Sequence, residues 1–384
     1  RRLAFAERLR DGFDPGGEFY ERWQAALPEI GEDYPGLQLT QQMGLVPIGP
    51  DPNSRLWEFW HVATGTEPLR DLVTGRLRME EFSGVVLVLL RGGTFLMGAQ
   101  ADPSKPNYDP SAQHDEGPVH EVELSAFFFS KYELTQAQFL WMSGGNPSWV
   151  QPLTGFPSTL LHPVDQVNWN ECMTWLSRVG LTLPSEAQWE YGARGGTSFP
   201  WWTGQERESL RVRHAVNLAD QAAARQDAPW RDDREDWPDL DDGHAYHAPV
   251  GTYAANPFGL HEVHGNIAEW CLDGYDSHYY SESPRSNPVS SWDSGVAPIR
   301  GGAHIRGPVV AANRVYRGGG YVHNAMEARS AFREANAPWD SALSIGLRPA
   351  RAIDPCETFM RLKVFCLLSR TSDRELPRCK GEHS

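Results

Sequence analysis

The stretch from residue 195 to Arg351 offers no sustained helical period, and this constrains the fold more than any other feature of the sequence. Glycine and proline recur along much of it, so its strands read as short and its connections as long. The helices that can be read lie earlier, and each announces itself by its cap. Thr135 with Gln138, Asn168 with Glu171 and Ser185 with Gln188 each have the spacing of a capping box. Leu134 and Phe139 can staple the first helix, while Cys172, Trp175, Leu176 and Val179 form one face of the second, which Gly180 ends. The third is "SEAQWEYGAR".

The remaining elements read as extended. "GVVLVLLRGGTFLMG" (84–98) is a buried strand, a glycine turn and a second strand, and "HEVELSAFFFSKYEL" (120–134) is extended. Upstream, "GEFYERWQAAL" (17–27) suits a short amphipathic helix, and 44–65 reads as turns and a hairpin. The expected organisation is an accessory region over 1–83 packed on the main domain, a domain over 84–351 and a poorly structured extension over 352–384. The class is α+β, loop-rich with few short helices. With 36 Gly, 29 Pro and 15 Trp, the composition suits aromatic cores among many turns and not a helical bundle.

Charge narrows the partners. A net −15 disfavours sequence-independent binding to nucleic acid or to an anionic membrane. The longest apolar run, Val85 to Leu90, is too short to span a bilayer. Five cysteines without a CxxC pair suit free thiols in a reducing compartment, and with no signal peptide at the start the expectation is cytoplasmic. The chain opens on Arg1 rather than Met, as a piece of a longer protein would.

Seven motifs occur in a fixed order: "GGTFLMG" (92–98), "PVHEVELSAFFFSKYELTQAQF" (118–139), "HPVDQVNWNECMTWL" (162–176), "LPSEAQWEYGARGG" (183–196), "PFGLHEVHGNIAEW" (257–270), "RVYRGGGY" (314–321) and "SIGLRPAR" (344–351). Together they resemble the formylglycine-generating enzyme, or sulfatase-modifying factor, family. The resemblance implies a C-type-lectin-like fold. It also implies where copper chemistry would reside, since the best-known members hold copper through two cysteines after this glycine turn, thiolates being soft ligands. Here those positions fall on His323 and near Glu327 or Ala328, and no cysteine lies between Cys271 and Cys356. Copper-dependent formylglycine generation is therefore not expected, and no catalytic residue is assigned. The HxxxH of the iron-dependent sulfoxide-forming branch is also missing from 1–84, where His61 stands alone.

The resemblance further implies two calcium-ligand sets. The first is Asn217, the Leu218 carbonyl, Asp242 and the His244 carbonyl. The second is Glu262, the carbonyls of Gly265 and Ile267, and Glu269. Such mixed oxygen sets on loops suit a hard structural Ca²⁺. "HAYH" (244–247) and "HEVH" (261–264) together supply four imidazoles that could hold zinc, although loop histidines bonded to their neighbours are the plainer reading.

For recognition, "RGGGYVHNAMEARSAFR" (317–333) is the stretch of interest. Tyr321, His323, Asn324, Arg329 and, just beyond, Trp339 are the candidate ligand contacts, with Arg329 suited to clamping an anionic group. Arg333 reads as a buried ion-pair partner. The reading is a binding module for an unknown protein or peptide, including the form of a retroelement-diversified variable protein. The alternatives are an oxidative enzyme with altered metal chemistry, and a regulatory domain fused to a bacterial Ser/Thr kinase.

Overall fold

A computed structural model describes residues 2–154, 156, 158–230, 237, 239–290 and 312–354. Within them the chain divides into two units, one holding Arg1–Met43 and the segment from Ile353, the other Gly44–Ala352. The smaller unit has two helices, α1 (Arg2–Phe13) and α2 (Glu18–Asp33). The second runs beyond the expected 17–27 because Phe19, Trp23, Ala26 and Ile30 keep one buried face across it. Gln42 ties the returning chain to this unit, its amide donating to the Asp354 carbonyl and accepting from the Asp354 N–H.

The larger unit is built on a five-stranded antiparallel sheet and a four-stranded mixed sheet. Strands β1 (Leu45–Pro50) and β2 (Trp57–His61) form the expected hairpin. A small pair, β3 (Leu69–Arg70) and β4 (Leu77–Arg78), follows. Next come β5 (Val86–Leu90), β6 (Gly93–Met97), β7 (His120–Leu124) and β8 (Phe127–Ser130). The remaining strands are β9 (Ala268–Gly274), β10 (Arg314–Arg317), β11 (Glu334–Asn336), β12 (Ile345–Gly346) and β13 (Ala350–Ala352). One sheet has the order β1-β2-β5-β8-β13, so residues 44–61 are part of it; the other is β11-β10-β9-β12, and β6 pairs with β7 alone. Val86–Leu90 and Phe127–Phe129 are buried at every position, as continuous apolar runs in a central strand should be.

The three capped helices form as read: α3 (Gln136–Ser143), α4 (Trp169–Arg178) and α5 (Glu186–Arg194), each with both hydrogen bonds of the capping box. Two further short helices, α6 (Glu208–Arg213) and α7 (Gln221–Arg225), lie where no helical period was expected. Five or six residues carry too little period to be seen. What local signal exists is Asp220, whose carboxylate accepts the N–H groups of Ala222 and Ala223. Mixed short strands, few short helices and long loops are the α+β class expected. Among the described residues no helix is long and apolar enough to cross a membrane. Residues 355–384, with Cys356, Cys366 and Cys379, lie outside the described residues.

Candidate functional site

The glycine turn after β10 passes close to α5. Gly318 and Gly319 have φ of 96° and 63°, the left-handed region that glycine tolerates. A β-carbon on Gly318 would lie 3.0 Å from the Trp189 ring. The turn thus brings Arg317 onto two glutamates one helical turn apart, Glu186 and Glu190. Arg333 donates to both oxygens of Glu186, at 2.6 and 2.9 Å, and Arg194 pairs with Glu190 at 2.8 Å. Burial alone would raise both carboxyls, but the guanidiniums outweigh it and hold them below the usual glutamate range.

Arg329 behaves in the same way. Its guanidinium donates to Asp109 at 2.6 Å and to both oxygens of Glu116 at 2.8 and 2.7 Å, and it is 1% exposed. The expected clamp for an anionic ligand is therefore occupied from within, by carboxylates of the 99–118 loop. Tyr321 is fully buried and its hydroxyl donates to the Leu343 carbonyl at 2.9 Å, so it supports the turn from beneath. Asn324 closes the turn locally: its Oδ1 accepts from Met326 N–H, and its own N–H donates to the Glu327 carboxylate.

His323 is different. Its ring is half-buried, Nε2 lies 4.0 Å from the Glu334 carboxylate, and Nδ1 has no hydrogen-bond partner among the described residues. Burial raises the Glu334 carboxyl, against the pull of His323. Trp339 is 58% exposed on the following loop. Of the five candidates, the structure places His323 and Asn324 on one turn, Trp339 on a separate exposed loop, and Tyr321 and Arg329 inside.

The first oxygen set lies around a pair of buried acids. Asp242 accepts from the N–H groups of Leu218 and His244, while its own N–H donates to Asp220 at 2.6 Å. Burial and then Asp220 push the Asp242 carboxyl well above its usual range. Asn217 donates to the Tyr246 carbonyl and to Asn266 Oδ1, but its own Oδ1, in a residue 0% exposed, accepts nothing among the described residues. A buried amide oxygen without a donor, on the residue preceding the Leu218 N–H that Asp242 accepts, together with the two acids that burial raises, fits a cation.

The second set is arranged otherwise. Glu262 accepts N–H groups from Gly251 and Tyr253, and Glu269 is gripped by Arg348, which also donates to the carbonyls of His261 and Glu262. A guanidinium thus already supplies positive charge to Glu269 and to the loop carrying Gly265 and Ile267. Among the described residues no three His, Cys, Asp or Glu side chains converge as a metal cluster. The two HxxH pairs diverge accordingly: His261 bonds the Tyr253 carbonyl, His264 accepts the Trp202 N–H, and His247 bonds Asp165.

One cleft escaped the sequence reading. Val150, Phe156, Ser158, His162, Gln226 and the segment 243–247 line about 150 Å³ of open space. "HAYH" marked four of its residues, but nothing local linked His247 to Asp165, 82 positions away. The described cysteines, Cys172 and Cys271, are buried, and burial raises both thiols.

The comparisons with known proteins agree with this geometry. The sulfatase-modifying factor enzyme 1-like domain matches residues 77–353. The formylglycine-generating enzyme of Thermomonospora curvata is 28% identical over 318 residues, covering 69% of this chain and 92% of that enzyme. Serine/threonine-protein kinase pkn1 of Chlamydia caviae is 28% identical over 287 residues, and the match covers 70% of this chain but 38% of the kinase. Among solved structures, PvdO from Pseudomonas aeruginosa superposes with a TM-score of 0.53 at 22% identity, over 75% of this chain and 99% of PvdO; this likeness is one of fold.

Proposed function

The chain belongs to the sulfatase-modifying factor enzyme 1-like family, and from that premise we propose that it is a ligand- or protein-binding module without copper-dependent formylglycine generation. One observation carries the reading. At or near the family's thiolate positions stand His323, facing Glu334, then Glu327 and Ala328, the latter 0% exposed in an apolar cluster with Trp201 and Ala325. None offers the soft sulfur that copper(I) favours. The arginines around the turn hold the scaffold, which leaves His323, Asn324 and the exposed Trp339 as the recognition surface. The likeness to the Chlamydia kinase supports the same module serving as a regulatory part of a longer chain.

Two experiments test the two halves. A cysteine-bearing sulfatase peptide incubated with the protein, copper(I) and oxygen is expected to keep its mass; conversion of the thiol to an aldehyde would sink the negative half. In selection from a random peptide library, clones enriched on the protein are expected to lose binding to H323A and W339A, whose melting points stay at the wild-type value. Absence of enrichment would end the binding half.

We further propose that Asn217, Asp242 and the carbonyls of Leu218 and His244 hold a structural Ca²⁺. The orphaned Asn217 Oδ1 supports it. At a hundredfold excess over its dissociation constant an ion contributes about 2.7 kcal/mol, so chelation should lower the melting temperature by about 5 °C. Asn217→Leu should abolish the difference between calcium and chelator. Equal melting curves for the wild type in both would exclude the ion.

A further inference from the structure

The cleft beside the 243–247 segment is lined by none of the 323–339 residues. We propose that it binds a small, uncharged planar ring carrying an O–H or N–H donor, and that the donor is received by His247 Nδ1. Four observations bear on this.

Size comes first. About 150 Å³ is the space of roughly one aromatic ring. The walls suit such a ring. Phe156 and Tyr246 pack edge to face, with centroids 4.8 Å apart, and Trp149 lies against Phe156 at 4.7 Å. These contacts hold the aromatic wall in place without a ligand.

Charge comes next. The carboxylate that binds His247 is already engaged. Asp165 accepts the N–H of Trp149 at 2.6 Å, the N–H of Val150 at 3.3 Å and His247 Nε2 at 2.9 Å. Burial lowers the His162 imidazole to about 3, so it stays uncharged at neutral pH. Among the described residues no Asp, Glu, Lys or Arg lines the cleft, so a charged ligand would meet no counter-ion in that lining.

The third observation is the orientation of His247. A carboxylate can only accept, so Nε2 carries the hydrogen that it donates to Asp165. In the neutral ring Nδ1 is then an acceptor. That nitrogen has no partner among the described residues, in a side chain 1% exposed. Buried acceptors are rarely left in this state without a ligand or water to serve them.

The fourth is Ser158. The residue lines the same cleft, and its buried hydroxyl oxygen is also without a partner among the described residues. It provides a second polar contact beside the aromatic wall, so two unserved polar groups from segments far apart in sequence meet at one ring-sized space.

The test uses phenol and anisole, which share the ring and differ in the hydroxyl hydrogen. Binding is read by tryptophan fluorescence and by the ¹⁵N signals of the His247 imidazole in the wild-type protein. Phenol is expected to saturate, to bind about tenfold more tightly than anisole, equivalent to ~1.4 kcal/mol, and to shift the Nδ1 signal. His247→Gln keeps a group able to reach Asp165 and removes the Nδ1 acceptor, so in that variant the two probes should bind alike. Equal affinities in the wild type, no saturable binding of phenol, or an Nδ1 signal that phenol does not move would each overturn the proposal. The wild-type spectra decide the matter even if the variant does not fold.

Discussion

Glu186→Gln is expected to destabilise the protein by about 3–5 kcal/mol, because it removes one carboxylate from two buried guanidiniums. Glu186 is 1% exposed and receives Arg317 on one side and Arg333 through both of its oxygens on the other. Its neighbour Glu190 is already shared between Arg317 and Arg194, so it cannot compensate. A neutral amide leaves an excess positive charge in a region closed to water, and its NH₂ group also faces a donor. Urea unfolding at neutral pH measures the effect, with Arg314→Ala, an exchange at a partly exposed arginine on the strand that carries Arg317, as a control. A loss below about 1 kcal/mol would mean that the network is solvated and is not the keystone described.

The second large effect is a pH dependence carried by His264. This side chain is wholly buried, its Nε2 accepts the Trp202 N–H at 3.1 Å, and burial lowers its pKa from 6.5 to about 3. Protonation at Nε2 must break that bond. Because the folded value lies below the unfolded one, the unfolded chain takes up the proton first as pH falls. The stabilising effect of the neutral ring is present in full above about pH 6.5 and is lost progressively toward pH 3.

Each pH unit in that window is worth about 1.4 kcal/mol. Other groups act in the opposite sense: the buried Asp273 carboxyl, raised by burial and by Glu186 to about 7, contributes stability that is lost as pH rises through 7. A comparison isolates the histidine. The stability of the wild type relative to His264→Gln should fall by about 3 kcal/mol between pH 7 and pH 4.5. Parallel stability curves for the two proteins would show that His264 does not titrate as its burial requires.

Sequence legibility followed the reach of the interactions involved. The capping boxes at Thr135, Asn168 and Ser185 close over three residues, so the sequence displays both partners side by side. The hairpin at 45–61 and the apolar runs of β5 and β8 are local in the same sense. Helices α6 and α7 are too short to display a period.

The order of seven motifs determined the family and with it the α+β fold, and the absence of cysteine at 323 and 328 was plain from the letters alone. What Arg329 does was decided only by the tertiary structure, because its partners Asp109 and Glu116 lie 220 and 213 positions away. An arginine after a glycine turn reads equally well as a ligand clamp or an internal tie, and only the folded chain shows which carboxylate reaches it first. The same holds for Asp165 and His247, which the sequence places in two unrelated loops and the fold brings to 2.9 Å. Side-chain chemistry is written in the sequence, but its partners are chosen by topology, because charge and hydrogen bonding act over a few ångströms of space however many residues intervene.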